Sequence, residues 1–136
     1  MQITIETLVS APVERCWAAW TSPEDIRAWN AASDDWHTTD AKVDLHPGGH
    51  FSYRMEARDG SEGFDFAGEY TRIEPPHLIE ATFGGRHLRV EFAAQGGGTR
   101  VRETFDAEDE HAIEMQRQGW QAILDRFRRH VEGRSA

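Results

Sequence analysis

The sequence has one cysteine, very little lysine and no long apolar run. Because Cys16 is the only cysteine, no disulfide can form within the chain, which is typical of a protein from a reducing compartment. No apolar segment approaches the roughly 18 residues that a membrane-spanning helix needs. The N-terminal residues lack the basic and apolar regions of a signal peptide. These absences predict a cytoplasmic protein that does not insert into a membrane.

Positive charge is also scarce. The chain has 24 acidic and 15 basic residues among 136, which gives a formal net charge of −9. Nucleic acids and anionic membranes both attract proteins through basic surfaces, so neither is expected as a partner. A chain of this length suits one domain, residues 1–136, and is long enough to bury a substantial apolar core.

Several chemical motifs are missing as well. There is no glycine-rich phosphate loop between a strand and a helix, and no nucleophile elbow. Asp44, His46 and His50 could suggest a metal site, but the turn at 47–49 separates the histidines, whereas their spacing favours metal binding on a helix. Cys16 lies on an apolar helix face, which is typical of an inert core thiol. Neither a metal nor a cofactor is therefore expected.

The longest element that the sequence predicts is an amphipathic helix over residues 111–131. Apolar residues recur on one face of it at helical spacing: Ile113, Trp120, Leu124, Phe127 and Val131. This stripe needs a surface to cover it, so Trp120 and Leu124 are predicted to be buried against a sheet. Gly119 costs such a helix about 1 kcal/mol relative to alanine, which indicates close approach by another element or space for a ligand.

Before this helix, the sequence predicts one strand followed by two short helices. Residues 2–9 alternate between polar and apolar side chains, which is typical of a strand with one buried face. Pro12 and Pro23 each follow a serine-containing turn and mark the starts of two short helices. These helices are expected to end near Trp20 and Trp29.

The central part of the chain predicts about six further strands. Apolar residues alternate between residues 42 and 105, and turns rich in glycine and proline separate the strands. Residues 30–39 are predicted to form a polar loop in which Trp36 is at least half buried. The order of elements indicates an α+β fold, in which a curved antiparallel sheet of about seven strands wraps around the long C-terminal helix.

Five stretches of sequence, taken together and in order, resemble one known family. They are APVERCWAAWTSPEDIRAWN, ASDDWH, DLHPGGHFSYRMEARDGS, FDFAGEY with a later PP, and EMQRQGWQAILDRF. They are similar to the SRPBCC or START-like superfamily, which has the helix-grip fold, and within it to the branch named after the activator of heat-shock-protein-90 ATPase. The resemblance implies seven antiparallel strands curled around the last helix, with a cavity between them that the two short helices partly close. Superfamily members mostly bind apolar or aromatic small molecules there, and some act on them.

Large apolar side chains are the first candidates for lining such a cavity, because ligand pockets are mostly apolar with a few polar groups. The candidates, together with the glycine that could leave room for a ligand, are Trp29, Trp36, Phe51, Tyr53, Met55, Phe66, Met115, Gly119, Trp120 and Ile123. The alternative is an ordinary core, to which each large buried side chain contributes about 1.5–3 kcal/mol.

A carboxyl group is also expected on the inner face of the sheet. Alternation places Glu103 between Val101 and Phe105, where it is costly unless it is paired, hydrogen-bonded or protonated. Such a group could orient a ligand or act as an acid or base. It could instead mark a local register shift, or bond to a partner such as Tyr53, and the sequence does not show which.

The loop around Trp36 contains further candidates. His37, together with Asp34 and Asp35, could take part in acid–base chemistry or lie at the cavity mouth, because histidine titrates near neutral pH. Aspartates in loops more often close turns or cap helices. The loop is therefore a weaker candidate for catalysis than for the cavity mouth.

Three functions are compatible with the sequence. The favoured prediction is non-catalytic binding of an apolar or aromatic small molecule. The second is an enzyme in the same cavity that catalyses cyclisation, hydration or hydrolysis, with Glu103 or His37 as acid or base. The third is an interaction module that forms a homodimer or binds a protein partner. It ranks last because the co-chaperone that names the branch has a further N-terminal domain, which this sequence does not contain.

Overall fold

The computed structural model describes residues 1–133, which form seven strands and three helices. In chain order these are β1 (Gln2–Val9), α1 (Val13–Thr21), α2 (Pro23–Trp29), β2 (Trp36–Val43), β3 (His50–Ala57), β4 (Gly63–Glu74), β5 (Leu78–Phe83), β6 (Arg86–Gln95), β7 (Gly98–Asp106) and α3 (Ile113–Gly133). The predicted α+β class and the order of elements are confirmed. The predicted start of β2 is wrong, because the strand begins at Trp36, inside the segment predicted to be a loop.

All seven strands form one antiparallel, curled sheet in the order β1-β7-β6-β5-β4-β3-β2. Two register shifts interrupt the otherwise regular ladders, one between Thr38 and Asp40 and the other between Tyr70 and Arg72. Irregularities of this kind bend a strand and increase its twist, which helps the sheet to curl. The helix-grip arrangement expected from the resemblance is therefore confirmed.

The long helix α3 packs against β1, α1 and α2 and is continuous through Gly119. Leu124, Phe127 and Val131 are buried, as the apolar stripe predicts. The helix begins at Ile113 rather than at residue 111, because the Glu108 carboxylate accepts a hydrogen bond from the backbone N–H of His111 at 2.7 Å in the preceding turn.

Trp120 packs on the sheet as predicted, but it is only partly buried. Its ring stacks on Phe105 of β7 with a centroid distance of 3.8 Å and an interplanar angle of 10°. The rest of the ring faces an open pocket instead of a close-packed core. Trp120 therefore holds α3 on the sheet while leaving space beside it.

The two short helices support one end of α3. Ser22 caps α2 by accepting a hydrogen bond from the backbone N–H of Asp25, at 3.4 Å. The indoles of Trp20 and Trp29 lie 4.9 Å apart, and both contact the Phe127 ring, at 4.9 and 5.0 Å. These edge-to-face contacts join all three helices in one aromatic cluster. Within the described part of the chain, no helix is long and apolar enough to cross a membrane.

Gly119 has open space where a side chain would begin. No atom outside its own stretch of helix lies within 4 Å of a Cβ built on it, so the close approach suggested by the sequence is absent. We expect Gly119→Ala to raise the free energy of unfolding by about 0.5–1 kcal/mol, because alanine loses less backbone entropy in a helix. Urea unfolding followed by circular dichroism would measure this change.

Gly68 provides the matched control for that substitution. A Cβ there would lie 2.2 Å from the Thr82 carbonyl oxygen and 2.7 Å from Cζ of Phe51. Gly68→Ala should therefore destabilise the protein, since strand backbone and a buried ring would both have to move. Equal losses of stability in the two variants would show that α3 is packed more tightly at Gly119 than the structure indicates.

Candidate functional site

A pocket of about 270 Å³ lies between the inner face of the sheet, the end of α2 and the middle of α3. Half of its lining residues are aromatic: Trp20, Trp29, Phe51, Tyr53, Phe64, Phe66, Tyr70, Phe83 and Trp120. Aliphatic side chains complete them: Met55, Ile79, Ala81, Leu88, Val90 and Ile123. The remaining lining residues are Asn30, Arg86 and Glu103.

Most of the residues predicted to line a cavity lie on this pocket. They are Trp29, Phe51, Tyr53, Met55, Phe66, Glu103, Trp120 and Ile123. Strand alternation places those of β3, β4 and β7 on the inner face of the sheet, and the helical repeat places those of α3 opposite. Phe66 joins the two surfaces, because its ring lies 5.6 Å from that of Phe51 and 5.9 Å from that of Trp120.

Two predicted residues on α3 do not line the pocket. Met115 is 61% exposed, because it lies two positions after Ile113 and so faces away from the apolar stripe. Gly119 is also absent from the pocket walls, although it precedes Trp120, which does line them. The prediction that these residues line the cavity is wrong for both.

Two further predicted residues, Trp36 and His37, lie on the edge strand β2 and outside the pocket. Trp36 is more than half buried, as predicted, with its ring 5.8 Å from that of Phe64. His37 pairs in register with Glu56. Asp34 accepts a hydrogen bond from Arg126 at 2.9 Å, and this contact holds the pKa of the Asp34 carboxyl below its usual range. Asp34 therefore links this edge of the sheet to α3, and neither Asp34, Trp36 nor His37 lines the pocket.

The other polar candidates lie elsewhere. Asp44 contacts His46 at 3.0 Å, whereas His50 lies 3.5 Å from Glu69, so these histidines face different partners. Cys16 is buried among the core residues, and burial raises the pKa of its thiol. A protonated, inaccessible thiol is a poor nucleophile, which agrees with the role predicted for it.

Several pocket residues were missed in the prediction. Tyr70, Ile79, Ala81, Phe83, Leu88 and Val90 occupy the inward positions of β4, β5 and β6. Alternation marks these positions as buried, but it cannot show which buried positions face a space and which face other atoms. No sequence pattern marked Arg86 as a pocket residue, since an arginine after a glycine turn resembles an ordinary surface residue.

Within the part of the chain that the structure describes, Glu103 is the only acidic side chain that lines the pocket, and it is 6% exposed. It pairs in register with Ile5 of β1 and Val90 of β6, so the alternative of a register shift is wrong. No group within residues 1–133 hydrogen-bonds its carboxyl. No polar side-chain atom in the same part of the chain is both sealed from solvent and unpartnered, so these oxygens open onto the pocket.

Burial raises the pKa of Glu103 to about 8, since the charged form loses its hydration without gaining a partner. The anticipated bond to Tyr53 is absent. Tyr53 interacts with Tyr70 instead, and the pKa of the Tyr53 phenol is raised by burial first, then by the charges of Tyr70 and Glu103. Burial likewise raises the pKa of Tyr70 to about 12. At neutral pH the pocket therefore holds one mostly protonated carboxyl and two neutral phenols.

Among residues 1–133, Arg86 is the only cationic side chain that lines the pocket. Its guanidinium lies 4.5 Å from the centroid of Phe83, and its Nε donates to the Asp106 carbonyl oxygen at 3.0 Å. The side chain is partly exposed. Arg86 therefore provides a fixed, hydrated positive charge at the edge of an otherwise apolar wall.

A curled antiparallel sheet gripping a C-terminal helix, with a pocket between them, defines a helix-grip protein of the SRPBCC superfamily. The chain belongs to the family described as activator of Hsp90 ATPase homolog 1-like protein, whose model matches residues 10–132. None of the curated proteins matches this chain.

Solved structures agree with this assignment. The solution structure of an AHSA1-like protein from Aeromonas hydrophila is 50% identical, with a TM-score of 0.93 over 98% of this chain and 94% of the other. Protein Chr148 from Cytophaga hutchinsonii is 42% identical, with a TM-score of 0.84 over 98% and 93%. Protein NE0264 from Nitrosomonas europaea is 19% identical with a TM-score of 0.86 over 99% and 96%, and it supports the fold alone.

Proposed function

We propose that this protein binds an apolar, aromatic-containing small molecule in the pocket between sheet and helix. The observation that carries the proposal is Glu103, a buried carboxyl that faces the pocket and has no partner among residues 1–133. An unpaired buried carboxyl destabilises a fold, and groups of this kind are concentrated at functional sites. The aromatic walls around it provide the apolar surface that a small ligand would bury.

The size of the pocket limits the ligand. Its volume of about 270 Å³ lies just below the range of about 300–1,000 Å³ that is usual for small-molecule sites. A ligand of about two or three aromatic rings fits this space, whereas a long lipid would need the walls to move. Ring contacts near the pocket edge, such as that of Trp36 on β2 with Phe64 on β4, would then have to change.

Catalysis in the same pocket is the second candidate. A carboxyl with a pKa of about 8 can exchange a proton near neutral pH, as a general acid or base must. Loss of turnover in Glu103→Gln, with binding retained, would identify an enzyme. The interaction-module alternative is supported only by the family's description. The single buried cysteine supports a cytoplasmic location.

Filling the pocket should abolish ligand binding. We expect the wild-type protein to bind one molecule of the neutral fluorescent probe N-phenyl-1-naphthylamine, with blue-shifted emission. Ile123 lines the pocket, so Ile123→Trp should weaken binding at least tenfold by occupying that space. Fluorescence titration gives both stoichiometry and affinity, and thermal melting checks that the variant is folded.

Met115→Trp is the matched control, because Met115 lies on the same helix but is exposed and outside the pocket. This variant should bind the probe as the wild type does. The proposal is wrong if folded wild-type protein does not bind the probe, or if both tryptophan variants bind it equally well.

A further inference from the structure

We propose that the natural ligand is an organic cation, an amine whose protonated nitrogen pairs with Glu103 while its aromatic or alkyl body fills the apolar walls. This inference rests on the proposed function and specifies the chemical class of its ligand. It is carried by a buried carboxyl that has no partner among residues 1–133 and that lines an aromatic pocket.

Within residues 1–133 no group hydrogen-bonds Glu103, and the nearby Tyr53 phenol, which also interacts with Tyr70, supplies no positive charge. Its register neighbours, Ile5 and Val90, have no polar side-chain atoms. On the facing helix, Trp120 and Ile123 line the same pocket, and no hydrogen bond joins either of them to Glu103. An ammonium group would supply N–H donors to the carboxylate and balance its charge.

The aromatic walls also favour a cation over a neutral polar ligand. Nine aromatic side chains line the pocket, and the face of an aromatic ring attracts positive charge. A neutral hydroxyl or amide needs only a neutral hydrogen-bond partner, which glutamine or serine would provide without the instability of a buried carboxyl. The formal net charge of −9 further favours the approach of cations over anions.

The other titratable and charged groups on the pocket do not oppose this pairing. Tyr53 on β3 and Tyr70 on β4 stay neutral at working pH, because burial raises the pKa of both phenols. Arg86 lies four residues before Val90, the register partner of Glu103, so the two backbones are separated by about 13 Å along the strand. Its guanidinium is also partly exposed, and water and salt weaken its repulsion. Asn30 at the end of α2 is uncharged.

Pairing with a cation makes binding depend on pH in a defined direction. Glu103 is mostly protonated below pH 8 in the free protein, whereas an alkyl ammonium with a pKa of about 10 stays charged. Binding must therefore release the Glu103 proton. Amine affinity should rise about tenfold per pH unit up to about pH 8 and then level off.

Calorimetric titration with two probes of equal length, 4-phenylbutylamine and 4-phenylbutan-1-ol, tests this inference between pH 6 and 9. For the wild type we expect the amine to bind at least ten times more tightly than the alcohol at pH 8, with release of about one proton at pH 7. Glu103→Gln should remove the amine preference and the proton release. Glu6→Gln, on the neighbouring strand β1 and exposed, removes the same charge outside the pocket and should retain both.

The outcomes separate the inference from the proposed function. Wild-type protein that binds the alcohol as tightly as the amine at pH 8 overturns the cation assignment alone. The same holds if the Glu103→Gln variant, shown to be folded by circular dichroism, keeps the amine preference. If neither probe nor N-phenyl-1-naphthylamine binds, the proposed function and this inference both fail.

Discussion

Phe127→Ala is expected to lower the free energy of unfolding by about 3–5 kcal/mol, a large part of the total stability of a domain this size. Phe127 is fully buried on α3 and contacts the rings of Trp20 and Trp29. Truncation would leave a cavity where the three helices meet, and the rigid indoles could not collapse into it. Urea unfolding followed by circular dichroism measures this loss. The midpoint urea concentration should fall, while the slope of the free energy of unfolding against urea concentration should not change.

Phe64→Ala is the matched control, because it removes the same atoms from a side chain that is 48% exposed. Phe64→Ala should lower the free energy of unfolding by less than about 1 kcal/mol, since water already covers much of the Phe64 ring. Equal losses in the two variants would mean that Phe127 is not at the centre of the helical cluster. The helices would then be held to the sheet by other contacts.

Glu103→Gln is expected to stabilise the protein at neutral pH. An ordinary glutamate in the unfolded chain titrates near pH 4.5, whereas the folded protein holds the Glu103 proton until about pH 8. Between these values the folded state binds more protons than the unfolded state, so stability falls as the pH rises. Each pH unit in this window removes about 1.4 kcal/mol, which amounts to a loss of about 3 kcal/mol by pH 7.

The measurement compares urea unfolding of wild type and Glu103→Gln from pH 4.5 to 9. The two proteins should be similarly stable near pH 4.5, diverge up to about pH 8, and differ by a constant amount above it. Subtracting the free energy of unfolding of one protein from that of the other cancels the contributions of the other titrating groups, because both proteins share them. Glu6→Gln should show no such divergence. A parallel pH dependence of wild type and Glu103→Gln would show that Glu103 has a partner or lies in water.

The expected gain in stability also bears on function. If replacing Glu103 makes the fold more stable, the carboxyl is retained for something other than folding, as is common at binding and catalytic sites. A ligand that pairs with the carboxylate would restore stability by an amount that grows with the logarithm of its affinity and of its free concentration. The stability and binding experiments therefore test the same group independently.

The sequence predicted the fold well because each element is marked by its own periodicity. Two-residue alternation identified the strands, and the spacing from Ile113 to Val131 identified α3. It also placed Glu103 between two inward residues, which the structure confirms through the regular pairing of β7 with β1 and β6. Periodicity follows from backbone geometry, so it can be read without knowing what the other elements do.

Predictions failed where the answer depended on contacts between distant segments. Trp36 and His37 looked like part of a loop, but pairing with β3 converts them to strand and moves them to the sheet edge. Gly119 suggested a close neighbour or space for a ligand, but no other element lies close to it and it is not on the pocket walls. Met115 was apolar and near Trp120 in sequence, but the helical repeat turns it towards solvent.

The sequence by itself determined the fold class, the order of elements and the inward position of a carboxyl among apolar residues. Only the tertiary structure decided that Glu103 faces an open space and lacks a partner in the described chain, and that Arg86 and Tyr70 lie on the same pocket. The physical reason is that periodicity fixes the direction of a side chain relative to its own backbone. Whether the side chain then meets packed atoms or a pocket depends on the distance between α3 and the sheet. That distance is set by contacts among strands and helices from the whole chain.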